Sequence, residues 1–235
     1  MATIVLAHGA WSAAWAWKKM RPLMQAAGHE FFAPSYTGLG ERAHLASPDN
    51  DLDTHIRDVL GVLEFEDLHS VVLIGHSYGG MVATGVADRA PGRIARIVYL
   101  DAFVPEDGQA LIDLLPEADR QRLSESVKAG DGWRVAPNPI PSDTPEEDAA
   151  WLAKFRVPLS FRCFEQPVRL RTGPRPPRTY IQCMRYADRG PFDQFAARAK
   201  AEGWPLYQLD ASHSPNVTAP GALMEVLQQI LSASS

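Results

Sequence analysis

The sequence predicts an α/β protein with a mainly parallel, doubly wound sheet, interrupted by one inserted segment. Three observations carry that expectation. Short apolar runs alternate with amphipathic helical patterns, the order of strands joined by right-handed helical crossovers. The runs are mostly continuous rather than alternating, as in strands covered by helices on both faces. One of them, Val71–Ile74, passes directly into Gly75-His76-Ser77-Tyr78-Gly79 and then into the helical pattern of Met81–Ala87.

Taken in order, the expected strands are Thr3–Ala7, Phe31–Ala33, Ser70–Ile74, Ile94–Leu100, Thr179–Met184 and Leu206–Leu209. Between and after them, Ala14–Ala27, Asp53–Phe65, Tyr78–Ala90, Phe192–Glu202 and Pro220–Leu231 carry apolar residues at three- and four-residue spacing, and Gly28 and Gly203 stand where helices stop. The alternation breaks between Pro105 and Arg178, where nine of the 19 prolines fall from Pro137 to Pro177. That stretch also carries Trp133, Trp151, Phe155, Phe161 and Phe164. So many apolar anchors favour an inserted cap over a solvated linker. The expected organisation is one structural unit, with residues 1–104 and 179–235 forming the core and 105–178 the cap.

Composition excludes several classes. A net charge of -5, with acidic and basic residues interspersed, offers no basic stripe for nucleic acid or an anionic membrane. No apolar run approaches the ~20 residues of a membrane helix. Met1–Ala7 has no basic region before it and runs straight into His8-Gly9-Ala10-Trp11, so it reads as a strand rather than a leader, and a cytoplasmic location is expected. Cys163 and Cys183 match no metal-ligand spacing, and the strand around Cys183 suggests a buried thiol.

Ser77 is the candidate nucleophile. A serine at a tight turn from strand to helix has its hydroxyl thrust into a cleft, and Gly75 and Gly79 remove the Cβ atoms that would collide there. A serine hydroxyl needs a base within hydrogen-bond reach and a third group to hold that base in one tautomer. Of the seven histidines, His213 is best placed, on the stretch after the last strand and before the last helix. His29, His55 and His69 read as solvated surface groups, and His76 as a residue that packs or bonds locally. His8, at the start of the Gly9 loop, and His44, in an expected active-site loop, read as structural. For the acid, Asp101 closes its strand directly, at the carboxyl edge where ligands collect in such sheets. Asp188 lies further past its strand, beside Arg189, and stays as the alternative; Asp210 is expected to face away. The backbone amides of Ala10 and Tyr78 are the expected oxyanion donors.

These residues resemble the α/β-hydrolase superfamily, and more narrowly its esterase and hydroxynitrile-lyase branch, which includes plant salicylate-binding methylesterases and bacterial relatives. The likeness spans nearly the whole chain, through Leu6-Ala7-His8-Gly9-Ala10-Trp11, Gly75-His76-Ser77-Tyr78-Gly79-Gly80-Met81, Tyr99-Leu100-Asp101-Ala102-Phe103-Val104-Pro105 and Ala211-Ser212-His213. The resemblance implies the α/β-hydrolase fold, Ser77 and His213 as nucleophile and base, Ala10 and Tyr78 as oxyanion donors, and no metal or organic cofactor. Two departures set the chain apart from the lyases, which carry threonine where Gly9 stands and lysine where Ser214 stands; without that ammonium, nothing obvious stabilises a departing cyanide. Plant members place the acid after the strand matching Thr179–Met184, where an ungapped alignment puts Tyr186, so Asp188 serves only through a shifted loop.

The expectation is therefore a serine carboxylesterase for small, largely apolar esters, with a small molecule as its partner and no oligomeric state implied. Trp11, the cap aromatics and Leu111, Leu114 and Leu115 are candidates to line the pocket. The rival readings are lyase or carbon–carbon bond chemistry on the same residues, and a ligand-binding protein with low turnover.

Overall fold

The structure is a computed structural model that describes residues 1–171, 175–185 and 190–233. Along the chain the strands are β1 (Thr3–Ala7), β2 (Glu30–Phe32), β3 (Val71–His76), β4 (Ile94–Leu100), β5 (Arg134–Val135), β6 (Leu159–Ser160), β7 (Arg178–Cys183) and β8 (Leu206–Leu209). The α-helices are α1 (Met20–Ala26), α2 (Leu52–Phe65), α3 (Gly79–Arg89), α4 (Glu117–Ala129), α5 (Glu146–Phe155), α6 (Arg162–Glu165), α7 (Asp193–Ala201), α8 (Pro215–Thr218) and α9 (Pro220–Ser232).

Six strands form one sheet in the order β2-β1-β3-β4-β7-β8, and every pairing described within it is parallel. The apolar runs are continuous because both faces are covered. Val5, Ala7, Leu73, Tyr99 and Tyr180 pack on one face with residues of α2, α3 and α7. Ile4, Leu6, Ile74, Leu100 and Ile181 pack on the other, against Met20 and Met24 of α1 and Leu223, Leu227 and Ile230 of α9. The two sets alternate along each strand, the period of a pleated backbone.

The register places the chemistry. Ala7 pairs with Gly75, Gly75 with Tyr99, His76 with Leu100, and Leu100 with Ile181, so the carboxyl ends of β1, β3, β4 and β7 lie along one edge. The chain runs outward from β1 to β2, then returns to β3 on the opposite side of β1. Between β1 and β3 the connections therefore diverge to opposite faces, opening a crevice at that edge.

The helix expected over Ala14–Ala27 is instead a 3-10 turn, Ala14–Trp17, followed by α1. Pro22 is the reason: it has no N–H for a bond to the Lys18 carbonyl and its ring collides with that group, so the helix restarts with Pro22 in its first turn.

Between β4 and β7, α4, α5, α6 and the antiparallel pair β5/β6 stand over the sheet edge. Leu123, Val135, Leu152, Leu159, Cys163, Phe164 and Val168 of this stretch are buried. The indole of Trp11 donates to the Val135 carbonyl at 3.0 Å, and the amide of Val157 donates to the Trp11 carbonyl at 3.3 Å. Trp15 packs on Trp151 and Phe155, with ring centroids 5.3 and 5.4 Å away.

Two glycines separate packing from propensity. A Cβ on Gly79 would overlap the Ala7 carbonyl, backbone that cannot move aside, whereas a Cβ on Gly61 within α2 meets nothing within 4 Å. Gly79→Ala is expected to lower unfolding free energy by about 2 kcal/mol or more through overpacking, and Gly61→Ala to raise it by ~0.5–1 kcal/mol through helix propensity, both read by urea titration. Equal effects of the two changes would contradict the close approach of α3 to β1.

Candidate active site

At the end of β3 the backbone turns sharply: Ser77 has φ 56°, and α3 begins two residues later. A non-glycine residue held there is strained, and neighbouring backbone groups hold it. The Ser77 amide donates to the Leu100 carbonyl and the Phe103 amide donates to the Ser77 carbonyl, each at 3.2 Å. The extension of β4 therefore clamps the turn from both sides.

Asp101 also lies in the left-handed region, at φ 42°, directly after β4. Its amide donates to the Ile181 carbonyl at 2.7 Å, and its Oδ1 accepts from the Cys183 amide at 3.2 Å. The carboxylate is thus anchored on β7 and almost wholly buried. Its Oδ2 accepts from His213 Nδ1 at 2.7 Å, and His213 Nε2 lies 3.0 Å from Ser77 Oγ. With the Nδ1 proton committed to Asp101, the Nε2 lone pair faces the serine hydroxyl. The structure brings Ser77, His213 and Asp101 into one chain of hydrogen bonds, although serine and histidine stand 136 positions apart in sequence.

Two neighbours that sequence reasoning did not assign hold His213, one at its ring and one at its backbone. Phe192 stacks on it, with centroids 4.8 Å apart and planes 12° from parallel. His76, expected to pack or bond locally, packs beside Trp17 with ring centroids 6.2 Å apart, but its hydrogen bond reaches a distant segment: Nε2 donates to the His213 carbonyl at 2.8 Å. Burial, with the His213 imidazole beside it, pulls His76 down to about 3, which keeps it neutral and fixes that proton as a donor.

The loop after β1 packs directly on the turn. A Cβ on Gly9 would stand 3.3 Å from both Ser77 Cβ and His76 Nδ1, so only glycine fits without displacement. Ala10, Trp11 and Tyr78 border the same cavity as Ser77 and His213, which has a volume of about 170 Å³. Behind the loop, His8 Nδ1 donates to the Gly9 carbonyl at 2.9 Å and His8 Nε2 accepts from the Tyr36 amide at 3.2 Å. Behind the turn, the Tyr78 hydroxyl donates to His55 Nδ1 at 2.8 Å, and His55 Nε2 donates to the Thr37 carbonyl at 3.2 Å. Tyr36 lies between the two imidazoles, 3.7 Å from His8 and 4.6 Å from His55 by ring centroid. His55 is fully buried, which corrects the surface reading. The signal was present in its spacing: it stands three residues after Leu52 and four before Val59, on the stripe that α2 buries.

The remaining candidates divide clearly. Leu111, Leu115 and Phe164 line the cavity. Leu114, Trp133, Trp151, Phe155 and Phe161 are not among its lining residues; Leu114 and Phe161 pack on the core, and Trp151 and Phe155 pack on Trp15. His44 is exposed and away from the cavity, His69 is exposed, and His29 is part-buried, accepting from the Ala2 amide at 3.2 Å. Asp210 is exposed and paired with Arg185 at 2.9 Å. Asp188 and Tyr186 lie outside the described residues. Cys163 and Cys183 are buried free thiols. Among the described residues no group of three His, Cys, Asp or Glu side chains is arranged to hold a metal ion, and no helix is long and apolar enough to cross a membrane.

Residues 4–226 match the alpha/beta hydrolase family. The chain belongs to this family. It is 39% identical to a carbendazim hydrolyzing esterase from a Nocardioides species, over 97% of this chain and 98% of that one. It is 27% identical to a pFDCC methylesterase from Arabidopsis thaliana, over 97% of this chain and 94% of the relative. The fold superimposes with a TM-score of 0.86 on an extracellular alpha/beta-hydrolase from a Paenibacillus species, at 22% identity, covering 97% of this chain and 98% of that one. That likeness concerns the fold alone.

The buried imidazoles make stability depend on pH. Burial pulls His8 down to about 3, like His76, and pulls His55 down too, from an ordinary 6.5. The unfolded chain binds protons at these sites in a range where the folded chain does not. Their contribution is therefore complete above about pH 6.5 and is lost as pH falls from there towards about 3. The urea midpoint is expected to fall steadily below pH 6.5; a midpoint constant from pH 7 to pH 4 would show that these imidazoles are not held neutral.

Proposed function

We propose that the protein is a serine carboxylesterase that hydrolyses small esters through an acyl-enzyme. The observation that carries this is the hydrogen-bond chain from Asp101 through His213 to Ser77, ending at a cavity bordered by Ala10 and Tyr78. The relatives named as esterase and methylesterase, matched along nearly their whole length, support ester hydrolysis as the reaction.

In this reading Ser77 Oγ attacks the ester carbonyl while its proton passes to His213 Nε2. The Oγ–acyl bond forms, and the carbonyl oxygen takes the negative charge, facing the amides of Ala10 and Tyr78. Each such donor is commonly worth ~3 kcal/mol of transition-state stabilisation. Tyr78 stands at the start of α3, whose dipole adds positive potential there. Collapse breaks the bond to the alkoxy oxygen, which leaves as alcohol with the proton from His213. Water then gives a proton to His213 and adds to the acyl carbon, and Ser77 departs with that proton, releasing acid and free enzyme. Asp101 keeps the Nδ1 proton in place and stabilises the imidazolium formed in both halves.

The stretch 105–178 acts in this reading as a cap that completes the pocket: Leu111, Leu115, Leu123, Leu152 and Phe164 give it apolar walls, opposite Trp11 from the core. Those walls favour small substrates with an apolar body.

Steady-state release of p-nitrophenol from short-chain esters tests the reading. Ser77→Ala is expected to lower kcat by about 10⁴-fold or more with the fold intact. Asp101→Asn is expected to lower it by roughly 10²–10⁴-fold, because a carboxamide donates to Nδ1, turns the Nε2 lone pair into an N–H, and cannot stabilise the imidazolium. Near-native turnover in either variant, or cleavage of mandelonitrile outpacing every ester of a panel, would overturn the proposal.

A further inference from the structure

The cavity that holds Ser77 also holds an excess of positive charge. Arg156, at the end of α5, is half-buried against Trp11, with its guanidinium carbon 5.6 Å from the indole ring. One of its nitrogens donates to the Asn138 carbonyl at 2.8 Å. The side chain of the same Asn138 accepts from Arg122 at 2.7 Å, so one residue fastens two guanidinium groups side by side in the lining of the cavity. Arg122 has a counter-ion, Asp119, at 3.2 Å. Among the described residues no carboxylate acts on Arg156. Burial without a carboxylate to offset it pulls this guanidinium down to about 10, still a cation at neutral pH. A half-buried guanidinium that borders the cavity and has no carboxylate of its own among the described residues is free to pair with an anion that enters.

We propose that Arg156, with Arg122 beside it, forms an anion subsite within the substrate cavity, and that the preferred substrates are small esters that also carry a carboxylate, such as half-esters of dicarboxylic acids. This deepens the esterase reading and rests on it. The guanidinium fork suits a carboxylate geometrically, since two of its N–H groups can point at both oxygens, and the Trp11 face orients it. The apolar walls take the body of the ester and Arg156 takes its charged end, so the subsite selects among esters of similar size.

The test compares kcat/KM for monomethyl isophthalate and for methyl 3-methylbenzoate, two methyl esters of similar size that differ in one carboxylate. The native enzyme is expected to favour the half-ester by about ten-fold or more, which is about 1.4 kcal/mol. That ratio is expected to fall to near or below one in Arg156→Gln, to recover partly in Arg156→Lys, and to shrink in about 0.5 M salt as the charges are screened. Recovery by lysine and sensitivity to salt separate a charge effect from loss of packing on Trp11. A native ratio of one or less, or a ratio unchanged in Arg156→Gln, overturns the subsite. If Arg156→Gln does not fold, the lysine variant and the salt dependence decide.

A second measurement is independent of turnover: binding of isophthalate to Ser77→Ala, followed by tryptophan fluorescence, and its loss when Arg156→Gln is added. Binding without turnover of either ester sinks the esterase reading and leaves the subsite standing. Turnover of methyl 3-methylbenzoate without isophthalate binding does the reverse.

Discussion

A serine whose backbone is held at φ 56° is the constraint around which the rest of the molecule is arranged. Left to itself, such a residue costs about 1–2 kcal/mol and relaxes. Here it is kept in place by the end of β4 on one side and by the close approach of α3 to β1 on the other, an approach open only to Gly79. Left-handed residues recur after the neighbouring strands. Trp11 after β1 has φ 57° and Asp101 after β4 has φ 42°. Ser77 and Asp101 turn the chain sharply as it leaves β3 and β4, and Trp11 does so four residues past β1, on the loop that packs against the Ser77 turn.

The polar groups behind that space are as ordered as the ones in it. His8 and His55 bond through both ring nitrogens, with Tyr36 stacked between them. One imidazole ends on the Gly9 carbonyl, next to Ala10; the other ends on the Tyr78 hydroxyl. Burial is what makes this possible, because an imidazolium would have no place for its second proton at the Tyr36 amide. A neutral, fully paired network is stiff, and it stands directly behind the two residues, Ala10 and Tyr78, that border the cavity beside Ser77. His76 plays a related part for His213, holding its backbone while Asp101 and Phe192 hold its ring.

The stretch between β4 and β7 solves a different problem. A cleft at the edge of an open sheet is wet, and charged groups in it are weak. By laying α4, α5 and α6 over the edge, the chain encloses the cavity with leucines and Phe164, in which each remaining polar group counts for more. The anchoring to the sheet is specific: the Trp11 indole and carbonyl each bond to this stretch, while its ring faces the cavity. One residue thus ties the loop after β1 to the cover above it.

The sequence by itself determined the layered sheet, the position of the sharp turn at Ser77 and the candidate pair Ser77 and His213, because these depend on local signals: continuous apolar runs, a Gly-x-Ser-x-Gly turn after a strand, a histidine after the last strand. It narrowed the carboxylate that could pair with His213 to two aspartates through strand position alone. What only the tertiary structure decided are the pairings made between distant segments. That Asp101 reaches His213 follows from the register of β4 with β7, which no window of sequence contains. That His76 serves a carbonyl 137 residues away depends on how the loop after β8 folds back over β3. That Trp151 and Phe155 pack on Trp15, while Arg156 beside them borders the cavity, is set by the rotation of α5 about its axis. Composition marks such residues as buried or polar; their partners are fixed by the way the elements pack in three dimensions, and through those partners their chemistry.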